Sequence, residues 1–189
     1  MVERIIIAGA GGQGIMVLGK VLAQAAMRED KHVVWLPAYG PEVRGGTAHC
    51  IVIIAPQPIA SPYIVQADTL IIMNEPSLER FKSRLSARGL LIVNSSLVKE
   101  KPKIKNEILM YPFTDTAIAL GNIKIANMVA LGCFIARKKT VAAASIVQAI
   151  EYMAPSDKPE LIEINKKALC AGIEMTAKGI ANGKSKVCP

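Results

Sequence analysis

Residues 4–27 read RIIIAGAGGQGIMVLGKVLAQAAM, an apolar run that breaks into glycine and resumes with a different period. Ile5, Ile6 and Ile7 stand consecutively, as in a strand buried on both faces. Ile15, Leu18, Leu22, Ala25 and Ala26 then recur at helical spacing. Between them Gly9-Ala10-Gly11-Gly12-Gln13-Gly14 matches G-x-G-x-x-G, a turn that delivers a strand to a helix N-terminus. Such glycines let the backbone turn tightly and approach a phosphate, which the helix N-terminus then attracts.

Downstream the alternation continues. Residues 32–36 (HVVWL) predict a second strand stopped by Pro37, and residues 51–55 a third with an irregular exit through Pro56, Pro58 and Pro62. Residues 68–73, 89–93 and 108–111 predict further strands, with a helix opened by Pro76 after the first of them. From residue 112 the chain reads as helical. Thr114 caps a short helix ended by Gly121, residues 125–136 form a buried helix, Thr140 caps a helix over 141–153, and a last helix starts near Glu160. The pattern predicts an α/β fold, a three-layer, Rossmann-like, mostly parallel sheet with C-terminal helices, in a single domain over 1–189. Any ligand then belongs at the carboxyl ends of the strands, where the glycine loop, residues 37–50 and Asn94-Ser95-Ser96 emerge.

Apolar residues make up 51% of the 189, aromatics only 4%, so the core is one of Ile, Val, Leu, Ala and Met. The longest uncharged run, 45–67, contains three prolines, and 125–136 is too short to span a bilayer, so no membrane segment is expected. Glu3 and the glycines argue against a signal peptide, and a cytoplasmic location is expected. Four scattered cysteines (Cys50, Cys133, Cys170, Cys188) and two lone histidines (His32, His49) show no metal-ligand spacing, and free thiols are expected, with Cys188 exposed and mobile. The net charge of +8 comes without interleaved aromatics, which argues against nucleic acid. Solvated helix ends, an acidic protein partner or an anionic cofactor remain.

A nicotinamide dinucleotide site wants an acid at the end of the second strand, and here that strand ends Val34-Trp35-Leu36-Pro37. The glycine loop is therefore open to three uses: a tight turn for packing, a phosphate contact without a dinucleotide, or an NAD(P) site. The second loop, Gly40-Pro41-Glu42-Val43-Arg44-Gly45-Gly46-Thr47, pairs one acid with one permanent cation. Arg44 suits a carboxylate or phosphate, and Gly45-Gly46 can turn N–H groups towards an anion. An ordinary Glu42–Arg44 surface pair accounts for the same residues. Asn94-Ser95-Ser96 likewise suits a strand exit with turn caps.

Taken together, GAGGQGIMVLGKVLAQAA, WLPAYGPEVRGGTAHC, DTLIIMNEPSLERF, GLLIVNSS and GNIKIANMVALG, in this order over residues 3–175, resemble the gamma subunit of the 2-oxoacid:ferredoxin oxidoreductases. Val43-Arg44-Gly45-Gly46 favours the 2-oxoglutarate or ketoisovalerate branch over the pyruvate branch, which carries R-R-G-A there. The resemblance implies a subunit of a complex that oxidatively decarboxylates a 2-oxoacid, forms acyl-CoA and reduces ferredoxin. It implies alpha, beta and ferredoxin-like delta subunits as partners. Thiamine diphosphate, Mg, iron–sulfur clusters and coenzyme A would sit on or with those chains and none on this one alone. No catalytic or metal-ligating residue is expected here. Gly9, Gly11, Gly12, Gln13, Gly14, Arg44, Gly45, Gly46 and Thr47 are the candidates for cofactor or phosphate contact, with Tyr39, Glu42, Asn94 and Ser95 orienting loops or meeting a partner. Expressed alone, such a chain is expected to be inactive and to self-associate, for instance as a dimer. A stand-alone NAD(P)-binding oxidoreductase and a nucleotide-binding regulatory module are the alternatives.

Overall fold

The computed structural model describes residues 2–38, 47–155 and 157–180. The glycine loop lies where the sequence places it, between β1 (Glu3–Ala10) and α1 (Ile15–Met27). β2 (His32–Ala38), β3 (Thr47–Ala55), β4 (Ala67–Ile72), α2 (Glu75–Phe81), β5 (Leu85–Asn94) and β6 (Glu107–Tyr111) follow. The helical end comprises α3 (Phe113–Ala119), α4 (Ala126–Lys138), α5 (Ala143–Met153) and α6 (Glu160–Ile180).

The six strands form one sheet in the order β2-β3-β1-β4-β5-β6. β1, β4, β5 and β6 run parallel, whereas β3 pairs antiparallel with both β1 and β2. The sheet is thus mostly parallel, as expected, with one reversed strand slotted between β1 and β2. β3 also begins earlier than the sequence suggests, at Thr47 opposite Ala10. Pro37 does not stop β2; it sits inside it, which an edge strand tolerates because its outer N–H has no partner to lose.

Ile5 and Ile7 point into one core and Ile6 and Ala8 into another, and all four are fully buried. The first core lies under α1, α3, α4, α5 and α6 and takes Phe113, Phe134 and the apolar stripe Leu18, Leu22, Ala25 of α1. The second is thinner, closed by Leu78 and Phe81 of α2, by Val98, and by half-buried Ile59, Ile64 and Ile104 from extended segments. α4 and α6 cross at Gly132 and Gly172, so closely that a Cβ on either would strike the other helix's backbone.

Thr140 does not cap α5. The helix starts at Ala143, and its leading amide, Ala142 N–H, donates to Glu29 Oε1 at 2.7 Å from the turn after α1. Lys31 Nζ holds the other oxygen at 2.6 Å. Burial pushes the Glu29 carboxyl up, but bonds from Lys31, Ser145 and Ala142 outweigh it and leave the pKa below the ordinary value. A lowered carboxylate pKa stabilises the fold above the unfolded value and ceases to do so as pH falls through the folded one. Glu29→Gln is expected to cost about 1 kcal/mol at neutral pH, and its deficit to shrink in acid, measured as urea midpoints across pH. A pH-independent deficit would show that the charge contributes nothing.

Candidate functional site

The glycine loop turns on itself. Gln13 N–H donates to Ala10 O at 3.2 Å, and its side-chain Oε1 accepts from Ala10 N–H at 2.7 Å. Gln13 Nε2 then reaches Met73 O at the end of β4, 3.4 Å away. Gly12 (φ +89°) and Gly14 (φ +69°) need the left-handed region that glycine alone enters freely. Two glycines are fixed by packing as well. A Cβ at Gly9 would lie 2.6 Å from Gln13 Oε1 and 2.9 Å from Met73 Cβ, and one at Gly14 would strike the Asn127 amide. Gly11 differs. It has no positive φ, and no described neighbour lies within 4 Å of where its Cβ would be.

Asn94 gathers the neighbouring loops. Fully buried at the end of β5, it donates from Nδ2 to Met73 O at 3.2 Å and to Thr114 Oγ1 at 2.8 Å. Its Oδ1 accepts from the amides of Ser96 and Thr114. Met73 O is therefore shared by Gln13 and Asn94, which ties the loops after β1 and β5 to one carbonyl. Thr114 takes part in this network rather than capping α3, whose N-cap is Pro112. Ser95 contributes its amide, bonded to Tyr111 O at 2.9 Å. Asn127 closes the far side by donating to Gly14 O at 3.1 Å.

Between these elements lies a cavity of about 180 Å³ lined by Gly12, Gln13, Met73, Leu97, Thr114, Ile123 and Lys124. It sits where β1 meets β4, the two strands whose crossovers lead to opposite sides of the sheet. Leu97 and Ile123 are exposed at its mouth, and Lys124 is its one charged lining residue among the described residues. The structure thus brings together Gly9, Gly11, Gly12, Gln13 and Gly14 with Asn94 and Ser95, and sets Thr47 opposite Ala10 at the same edge. Tyr39, Glu42, Arg44, Gly45 and Gly46 lie outside the described residues. Met73, Thr114, Lys124 and Asn127 are members the sequence reading missed. Asn127 alone had a signal, a lone amide opening an otherwise apolar helix.

The dinucleotide alternative loses its geometry here. Because β3 intervenes, the end of β2 stands two strand spacings from the glycine loop, about 10 Å. A ribose acid on β2 would be out of reach. The thiols do not suit iron–sulfur ligation, which needs several thiolates converging on one point. Cys50 donates to Ile15 O at 3.6 Å, and burial pushes both its thiol and that of Cys133 up to about 12. Among the described residues no three His, Cys, Asp or Glu side chains group as metal ligands. Cys50 and Cys133 are free as expected, but Cys170 is disulfide-bonded, which the scattered spacing did not signal; Cys188 lies outside the described residues. At pH 8, Cys50 and Cys133 are expected to resist alkylation in the folded protein and to react in guanidinium, mapped by mass spectrometry. Labelling of Cys50 in the native state would mean that α1 does not seal it against the sheet.

Fold and edge together define a Rossmann-like chain with a reversed strand beside β1 and a loop cluster knotted around Met73 O. The model for "Pyruvate ferredoxin/flavodoxin oxidoreductase" matches residues 4–175, and the chain belongs to that family. It is 33% identical over 187 residues to 2-oxoglutarate synthase subunit KorC of Methanothermobacter marburgensis, covering 95% of this chain and 99% of that one. It is 35% identical to ketoisovalerate oxidoreductase subunit VorA of the same organism, covering 94% of this chain but only 37% of the relative's length. Among solved structures, the gamma subunit of a keto/oxoacid ferredoxin oxidoreductase from Geobacter sulfurreducens superposes with a TM-score of 0.84 at 29% identity, covering 94% and 98% of the two chains. The resemblance read from the five ordered stretches therefore holds. Among the described residues no helix is long and apolar enough to cross a membrane.

Proposed function

We propose that this chain is the gamma subunit of a complex that oxidatively decarboxylates a 2-oxoacid to its acyl-CoA with reduction of ferredoxin. Its 189 residues act as one gamma-type domain. The observation that carries this reading is the near end-to-end match with a 2-oxoglutarate synthase subunit, and 2-oxoglutarate is the substrate we favour. A 2-oxoglutarate:ferredoxin oxidoreductase from Magnetococcus marinus, solved with 2-oxoglutarate, coenzyme A and succinyl-CoA bound, shares the fold over 97% of this chain at 21% identity. In this reading the chain packs on thiamine-bearing subunits and shapes the approach of coenzyme A.

Gly11 supports a role at the carboxyl edge. Neither conformation nor packing among described residues accounts for its missing side chain, whereas close approach by a ligand or partner does. The cavity beside it is smaller than the roughly 300 Å³ at which pockets for whole ligands begin, so it suits only the narrow end of coenzyme A. Lys124, in its lining, would hold a phosphate group, and Arg44 remains the second candidate from the sequence. Thiamine diphosphate, metal and clusters would be supplied by other chains.

The test is recovery of the chain from its native extract, followed by assay of coenzyme A-dependent viologen reduction by 2-oxoglutarate, 2-oxoisovalerate and pyruvate. Activity in the recovered assembly is expected, highest with 2-oxoglutarate. Arg44→Ala is expected to raise the KM for coenzyme A about ten-fold with little change in kcat, the size of one charge-assisted pair. An inactive, partnerless chain would sink the reading, and NAD titration would then decide between the alternatives.

A further inference from the structure

The surplus positive charge is not spread evenly. Residues 80–106 carry eight basic side chains against one acid, Glu100, a net +7 within a chain of net +8. This stretch runs from the end of α2 through β5 to the connection before β6, on and around the sheet face that α2 covers. Val98, fully buried, and Ile104, half-buried, pin that connection to the second core. Lys99, Lys101, Lys103 and Lys105 are all exposed beside these anchors, as is Arg88 at the turn of β5. None of the five has an acidic partner among the described residues. The effect reaches His49, whose ring lies 4.8 Å from Phe81 and whose pKa is lowered by burial and by Arg80 and Arg84.

The same face opens into a groove of about 400 Å³ at the exit of β3, lined chiefly by residues 53–64. Its wall is held in place. Arg84 donates to Ile64 O at 2.5 Å and to Val65 O at 3.3 Å, and Ser61 Oγ accepts from Tyr63 N–H at 3.2 Å. The fixed wall presents Tyr63 at 79% and Val65 at 87% exposure, large apolar groups that a lone chain would gain by folding inward. Arg84 joins groove and basic stretch into one surface.

Accepting that this chain works as a subunit, we infer that the face bearing α2 is its docking surface for an acidic protein chain, with Tyr63 as the apolar anchor and Lys99 to Lys105 as the complementary rim. Aromatic anchors with a charged rim are the usual make-up of a protein interface. Nucleic acid fits less well, because the basic stretch interleaves no exposed aromatic with its cations, Phe81 being buried, and Tyr63 stands alone as a stacking face at the groove.

Amine acetylation of the assembly recovered from native extract, compared with the chain alone, tests this. Lys99, Lys101, Lys103 and Lys105 are expected to react at least about ten-fold more slowly in the assembly, and a carbodiimide to link them to carboxylates of a second chain. Lys103→Glu with Lys105→Glu, both at exposed sites, is expected to weaken association at least about ten-fold, with the double arginine variant behaving as wild type. Tyr63→Ala should weaken it about 30-fold. Partners recovered but these lysines equally reactive in both forms would overturn the docking surface and leave the subunit reading standing. Protection abolished by nuclease would reassign the face to nucleic acid. A chain recovered alone, with all four lysines reactive, would remove both.

Discussion

Gly132→Val is expected to lower the stability of the protein by about 3 kcal/mol or more, read as a fall in urea midpoint at unchanged slope. A Cβ at Gly132 would stand 3.0 Å from the Ile173 amide nitrogen and 3.1 Å from Gly172 Cα, and closer still to the Leu169 carbonyl oxygen. Every one of these atoms is backbone of α6, so no side chain can swing aside. The helices must part instead, and parting them opens the packing around Val129, Cys133 and Leu169, all fully buried. Gly172→Val should cost as much, because its Cβ meets the Val129 carbonyl oxygen from the opposite side. Gly11→Ala is the control: with no described neighbour within 4 Å it should change stability by less than about 0.5 kcal/mol. A Gly132→Val protein unfolding at the wild-type urea concentration would mean that the two helices do not cross there.

Asn94→Leu is expected to cost about 3 kcal/mol and to loosen two loops together. The substitution keeps the side chain's bulk but removes four hydrogen bonds, leaving Ser96 N–H and Thr114 N–H buried without acceptors. Hydrogen exchange should quicken at the Ser96 and Thr114 amides and leave the centre of β1 protected. Exchange unchanged at both amides would show that the loops are held by their own turns.

The fold is legible in the sequence where each residue answers to one neighbour. Ile5, Ile6 and Ile7 announced a strand covered on both sides, and the glycines announced the turn into α1, because those signals are local. The reversal of β3 was not legible. Residues 51–55 carry the same apolar run in either direction, and what orients them is the pairing of Thr47 with Ala10, between residues far apart in sequence. The site divided the same way. Gln13 was found because it lies inside the motif, whereas Thr114 acts through its hydroxyl and amide and Met73 through its carbonyl, groups that any sequence could place anywhere. Glu29, which caps a helix that begins more than a hundred residues later, was out of reach of any rule based on neighbours.

The slotted strand also governs when the chain can begin to fold during synthesis. In an all-parallel sheet of this kind the first strand, helix and second strand close into a unit as soon as they are made. Here β1 and β2 leave a gap one strand wide that only β3 can fill. The first 38 residues therefore have no self-sufficient sheet arrangement, and the β1–β3 segment can zip shut only once Ala55 has left the ribosome. Until then Ile5, Ile6 and Ile7, and the Val33–Leu36 run, stay exposed, so this segment is the one a holding chaperone would meet.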